Sequence, residues 1–198
     1  MKRRQSYKRI LILCEGFTEE IYAKSLRSGL LSRELQRTVN IEIVRHKKND
    51  PLNLVTAAKL KVSQAKKESA PYDDIWLFFD HDNSPHLSKA FSEAEKYGFR
   101  LAFTAISLEY WFILHFEDCG KMFSDAEDCL RHLLKLWPIY HKTKLNHFEH
   151  LTGYMDLAIE RAERRDRRNI GVDLIHQQPY TSVHKLIEYF RSLERNKK

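Results

Sequence analysis

Cysteine, glycine and proline are scarce in this chain and long apolar runs are missing, and each scarcity closes off a class of protein. Three cysteines among 198 residues, Cys14, Cys119 and Cys129, have neither the even count nor the C-x-x-C spacing of a disulfide framework or a zinc site. They read as reduced, mostly buried thiols. With six glycines and five prolines there is no long Gly/Ser linker, no low-complexity tract and no internal repeat, so one core with an extension is expected. The apolar stretch at residues 10–14, behind the basic Lys2-Arg3-Arg4, is too short for a secretory signal or a membrane span, and a cytoplasmic protein without membrane attachment is expected. The G-x-x-x-x-G-K-[ST] phosphate loop is also missing, so any ATPase acting with this protein must be a separate chain.

Among the residues present, 34 Lys+Arg outweigh 27 Asp+Glu for a formal net charge of +7, which favours polyanionic partners without naming one. A hydrophobic share of 42% suffices for one sizeable core. Its distribution is informative. Short apolar runs at 10–14, 39–44, 74–80 and about 100–105 have the form of strands, two of them of strands buried on both faces. Between them lie helical patterns: one opening near Thr18 as N-cap, one from Asn49-Asp50-Pro51 to about residue 69, and one over 87–97 ending at Gly98. Strands alternating with helices make βαβ units, hence an α/β fold with a parallel sheet of about four strands covered on both faces. After residue 105 the pattern is helical, over 108–116, 125–136, 151–168 and 180–193. The division expected is a catalytic core over 8–106 and a helical extension packed on it over 107–198.

In an open parallel sheet, ligands gather outside the carboxyl ends of the strands. Glu15 ends the first apolar run, and Asp80 and Asp82 end the third. Carboxylates converging near a dry core need a cation, and oxygen donors of this kind suit Mg²⁺ or Mn²⁺. The alternation of Asp80-His81-Asp82 turns both aspartates to one side of an extended chain. Glu19, four residues beyond Glu15, is placed to serve a second ion, and two ions about 4 Å apart stabilise attacking and leaving oxygens in phosphoryl transfer.

These residues carry a resemblance. The run from Ile12 through Cys14-Glu15-Gly16-Phe17-Thr18-Glu19-Glu20, followed by Phe78-Phe79-Asp80-His81-Asp82, resembles the E and D-x-D motifs of the Toprim domain shared by topoisomerases, primases and OLD-type nucleases. Residues 107–116, beginning Ser107-Leu108-Glu109-Tyr110-Trp111, and 179–186, beginning Pro179-Tyr180-Thr181-Ser182, resemble more narrowly the RloB family. The resemblance implies a Toprim-like α/β core, Mg²⁺ dependence, nuclease activity and a setting in bacterial defence against phage, often beside a separately encoded ATPase. It implies Glu15 as general acid/base or metal-linked glutamate, Asp80 and Asp82 as ligands, and Glu19 as a supporting carboxylate. The expected function is therefore metal-dependent hydrolysis of phosphodiester bonds in DNA or RNA. The alternatives are a non-catalytic binding module regulated with an ATPase, and phosphoryl transfer on a small nucleotide. A topoisomerase does not fit, because the chain has no region for strand passage.

Other residues have two readings each. Glu109 either joins the catalytic site from the start of a helix or complements the helix dipole there. Arg164, Arg165, Arg167 and Arg168 are candidate nucleic-acid contacts, holding phosphate without reading sequence, or else a solvated mixed-charge face. Lys2, Arg3 and Arg4 are a candidate basic arm. His81 either contacts phosphate or faces solvent, and His115 is expected in the core. His141, His147 and His150 lack the spacing and the cysteine partners of a zinc site.

Overall fold

The apolar runs become strands of one sheet. In the computed structural model, which describes residues 8–46, 50–80, 84–173 and 176–196, β1 (Lys8–Cys14), β2 (Val39–Arg45), β3 (Asp74–Asp80) and β4 (Arg100–Thr104) pair in the order β2-β1-β3-β4. All pairings among these strands are parallel. The helices α1 (Phe17–Leu30) and α2 (Arg33–Thr38) join β1 to β2, α3 (Pro51–Lys67) joins β2 to β3, and α4 (Leu87–Lys96) joins β3 to β4. The path steps outward from β1 to β2, then back across β1 to β3. Crossovers of one hand therefore place α1 on one face and α3 and α4 on the other.

Side chains alternate across the sheet to meet these two layers. Ile10, Ile12, Cys14, Trp76 and Phe78 join the buried side chains of α1, including Tyr22 and Leu26. Leu13, Leu77, Phe79 and Phe103 pack with Leu54, Val55 and Ala58 of α3 and Leu87, Ala90 and Ala94 of α4. Two buried faces explain why the strands read as continuous apolar runs. The architecture has the Toprim-like form expected, with helices following the sheet.

Local chemistry sets several boundaries. Asp50 caps α3, its carboxylate accepting from the amides of Leu52 and Asn53, and Pro51 occupies the first turn where its missing N–H costs nothing. Gly98, at φ 67°, turns the chain out of α4. The expected Thr18 cap is not used: α1 begins at Phe17 with Gly16 at the cap and no side-chain bond. The link from strand to helix is only Glu15-Gly16, so Thr18 already lies in the first turn. The helix α2 was not foreseen, since one and a half turns, capped by Ser32 through the Leu35 amide, are too short to show a period.

Beyond the sheet come α5 (Leu108–Phe116), α6 (Ala126–Leu136), α7 (His147–Leu151), α8 (Met155–Arg168) and α9 (Val183–Arg195). The single helix expected over 151–168 is interrupted by a 3-10 turn at Thr152–Tyr154. The last helix starts later than expected because residues 180–182 lie along β4. Ala105 N–H donates to Tyr180 O at 2.9 Å, Ser182 N–H donates to Phe103 O at 2.7 Å, and Thr104 bridges Thr181 in antiparallel fashion. That contact covers an otherwise open sheet edge. The helix α5 is enclosed, with every residue from Leu108 to His115 buried. One hydrophobic cluster runs from Ile12 and Trp76 of the sheet to Trp111, Leu133, Met155 and Phe190 of the helices. Among the described residues, no helix is long and apolar enough to cross a membrane.

Candidate functional site

The central strands β1 and β3 flank the point where the chain reverses its direction of winding, the place where open α/β sheets form ligand crevices. Glu15 follows β1, and its amide donates to Phe78 O at 2.9 Å, extending the ladder one step beyond the strand. Asp80 is the last residue of β3. A cleft of about 240 Å³ opens there, lined by Glu15, Gly16, Thr18, Glu19, Asp80, Glu109 and Lys142 among others. Four of the acidic residues singled out in the sequence thus face one cavity. Asp82 and His81 lie outside the described residues, as do Lys2, Arg3 and Arg4.

Two of the acids are delivered by a buried link between helices. Trp111 Nε1 donates to Tyr22 Oη at 2.8 Å, tying α5 to α1. Glu19 lies one helical turn before Tyr22 on the same face, and Glu109 lies two residues before Trp111, so the apolar packing of both helices carries the carboxylates into the cleft. Glu15 and Glu19 are each 6% exposed and Glu109 is 3% exposed, values rare for glutamates that have no specific role. A Cβ at Gly16 would meet the Oε2 of Glu19, whose carboxylate leans back over the turn, so a side chain there would displace that carboxylate.

The electrostatics follow from this burial. Desolvation pushes the Glu19 carboxyl up to about 7, with the Glu109 charge adding to it, while backbone hydrogen bonds and Lys142 pull the other way. Glu109 accepts from the Tyr140 hydroxyl at 2.9 Å, and Lys142 Nζ lies 3.4 Å from the same oxygen. Tyr140 and Lys142 were not singled out from the sequence. They sit in the irregular stretch between α6 and α7, where no period or motif marks them, and they reach the site only through the tertiary fold.

The donor set tests the fit of a metal. Among the described residues, no three of these carboxylates bring oxygens within 4.8 Å of one another. An ion stripped of its water is thus poorly matched, whereas Mg²⁺, which binds through one or two carboxylates and keeps several waters, suits hard oxygen donors that line one cleft. The residues present fit that ion in kind, and Glu15 and Asp80 at the strand ends are the ones that would hold it.

Other candidates fall elsewhere. Arg164 and Arg165 both pair with Asp118 at 2.8 Å, and Arg167 approaches Glu163 at 3.7 Å. None of these arginines lines the cleft, nor does Arg168. The outward members, Arg167 and Arg168, are exposed. His115 is a core residue, as expected: its Nδ1 lies 3.0 Å from Trp111 O and burial lowers its pKa to about 4. His147 is buried against Phe112 with its Nε2 2.9 Å from His141 O, and it does not converge with His141 and His150 on a point that could hold an ion.

A four-stranded parallel α/β sheet with carboxylates at its switch point defines the class, a Toprim-like fold. Within that class the chain belongs to the RloB-like protein family, whose pattern it matches over residues 10–190. No curated protein matches the chain.

Proposed function

We propose that this protein is a Mg²⁺- or Mn²⁺-dependent nuclease that hydrolyses phosphodiester bonds in nucleic acid within bacterial defence against phage. The observation that carries the reading is the convergence of Glu15, Glu19, Asp80 and Glu109 on one cleft at the switch point of the sheet. Family membership over most of the chain supports the defence setting.

Glu15 and Asp80 would hold the ion, with Asp82 as the further ligand that the motif supplies. When bound, the ion would supply charge stabilisation at a phosphate oxygen and lower the cost of activating water. Glu19, with its carboxyl near 7, is in the range where a side chain both accepts and returns a proton at neutral pH. Lys142 faces the cleft with its side chain about half exposed (54%) beside Glu109, a placement that suits contact with an incoming phosphate. At the rim, the Arg45 guanidinium lies 3.3 Å from the centroid of the exposed Phe17 ring. A flat aromatic face beside a cation is the pairing that holds single-stranded bases and their backbone.

The test is cleavage of DNA and total RNA by purified protein, with a neighbouring ATPase where one is encoded, in Mg²⁺, Mn²⁺ and EDTA. Cleavage should require the ion and disappear in Asp80→Asn. Cleavage that survives EDTA sinks the reading. Binding without cleavage in the presence of the ATPase turns the assignment to a regulated binding module.

A further inference from the structure

We propose that Glu117, Cys119 and His132 form a zinc site that ties the C-terminal end of α5 to α6, separate from the acidic cleft and independent of the function proposed for it. Among the described residues, these three bring a carboxylate oxygen, a thiol sulfur and an imidazole nitrogen within 4.8 Å of one another. His132 Nε2 lies 2.7 Å from Glu117 Oε1, and the Cys119 Sγ lies within 4.8 Å of both groups. A proton-sharing carboxylate and imidazole with a thiol gathered about the same point is the arrangement a cation completes by displacing protons.

The chemistry of the set selects the ion. One sulfur, one nitrogen and one oxygen match Zn²⁺, which binds them tetrahedrally at about 2.0–2.3 Å. Three such ligands leave one position for water. Mg²⁺ avoids sulfur. A thiolate and a carboxylate together offset the charge of the ion, which suits a place where Cys119 is only 5% exposed. Burial, with Glu117 adding to it, holds the thiol above its ordinary value, and coordination reverses that because a bound metal deprotonates the thiol outright. Glu117 and His132 are partly exposed, which provides a path for the ion.

The ligands are also held in place by their neighbours. Arg164 and Arg165 grip Asp118, between the two ligands of the loop, at 2.8 Å each. The Tyr110 hydroxyl donates to Cys119 O at 3.0 Å, and the Phe123 ring packs edge-on against His132 with centroids 5.5 Å apart. A simple Glu–His pair accounts for two of the three side chains but not for the buried thiol sulfur that lies within 4.8 Å of both. The spacing hides the site from the sequence, because Glu117-x-Cys119 and a histidine on the next helix form no ribbon or finger signature.

The decisive experiment measures zinc in the full-length protein, tag removed, after equilibration with micromolar zinc and dialysis into metal-free buffer. Wild type, Glu15→Gln and Asp80→Asn should each retain a single equivalent. Cys119→Ser and His132→Gln should lose it. Loaded with Co²⁺, the wild type should show a sulfur-to-cobalt charge-transfer band that Cys119→Ser abolishes. Wild type that holds well below one equivalent, or Cys119→Ser that holds zinc as firmly as wild type, overturns the proposal. If Cys119→Ser fails to fold by circular dichroism, Glu117→Gln and His132→Gln decide, since both positions are partly exposed. Full retention of zinc by those two variants overturns it as well.

Discussion

The two ends of the sheet treat buried acid in opposite ways. At the end where β3 begins, Asp74 is neutralised by the chain itself. Lys8 Nζ lies 2.8 Å away and Arg100 3.2 Å, and the Tyr189 hydroxyl donates at 2.8 Å. Burial alone would raise this carboxyl, yet the bonds from Lys8 and Tyr189 and the charges of Lys8 and Arg100 hold it below its ordinary value. At the end where β3 finishes, burial first and then the Glu109 charge raise the Glu19 carboxyl to about 7. One end is a finished ion cluster. The other gathers acid around a cleft, where the proposed cation would offset it.

The largest expected effect breaks the functional end. Asp80→Asn and Glu15→Gln should each lower ion-dependent cleavage by at least about 100-fold, with circular dichroism unchanged. Cleavage by Asp80→Asn within a few fold of wild type would erase the contrast between the two ends.

Next in size is a pH dependence of opposite sign at the two ends. The Glu19 carboxyl is neutral up to about 7 when folded but only to 4.5 when unfolded, so the folded chain binds more protons between those values. The stability this contributes is fully present below 4.5 and is lost as pH rises through about 7, for a total of roughly 3 kcal/mol. Buried His115, its pKa lowered to about 4, contributes in the opposite direction over much of the same interval, so the test is a difference. Urea midpoints in EDTA should rise with pH more steeply for Glu19→Gln than for wild type, and millimolar Mg²⁺ should narrow that difference at the upper end. Asp74 runs the other way. Its folded value lies below 3.8, so its contribution is present above 3.8 and is lost as pH falls through the folded value. Asp74→Asn should cost about 2 kcal/mol at neutral pH, the worth of hydrogen bonds to a charged group, and leave cleavage unchanged.

The contrast also explains what the sequence disclosed. Glu15 and Asp80 were legible because a carboxylate closing an apolar run is a local signal, and the alternation of runs and helices makes those strands parallel neighbours. The cap at Asp50 and the exit at Gly98 were legible for the same reason. Lys142 and Tyr140 were not, since they reach Glu109 only after α6 and α7 pack. Asp74 was likewise silent: its partners Lys8, Arg100 and Tyr189 are scattered along the chain, and only the sheet register and the docking of α9 assemble them. Short elements such as α2, and the 180–182 segment that lies on β4 instead of entering a helix, were lost because tertiary pairing overrode a weak local pattern.

The smallest expected effect concerns the arginines of α8, and the structure narrows it. Arg164 and Arg165 hold Asp118, so replacing them perturbs the loop after α5 and confuses binding with folding. Arg167 and Arg168 are exposed, and Arg167 has only a long contact, 3.7 Å, to Glu163 of its own helix. If this face touches nucleic acid, Arg167→Glu with Arg168→Glu should weaken binding by a few fold. Each lost phosphate contact should also flatten the slope of log affinity against log salt by about 0.9 on duplex DNA. Cleavage at saturating substrate should stay as it was, because backbone contacts remote from the reacting atoms position the polymer without entering the chemistry. Fluorescence anisotropy across a salt series reads the slope directly. An unchanged slope would mean that phosphate is gripped elsewhere, with Lys142 and Arg45 at the cleft as the next residues to replace, and that the outer face of α8 is a solvated surface like the one it resembles in sequence.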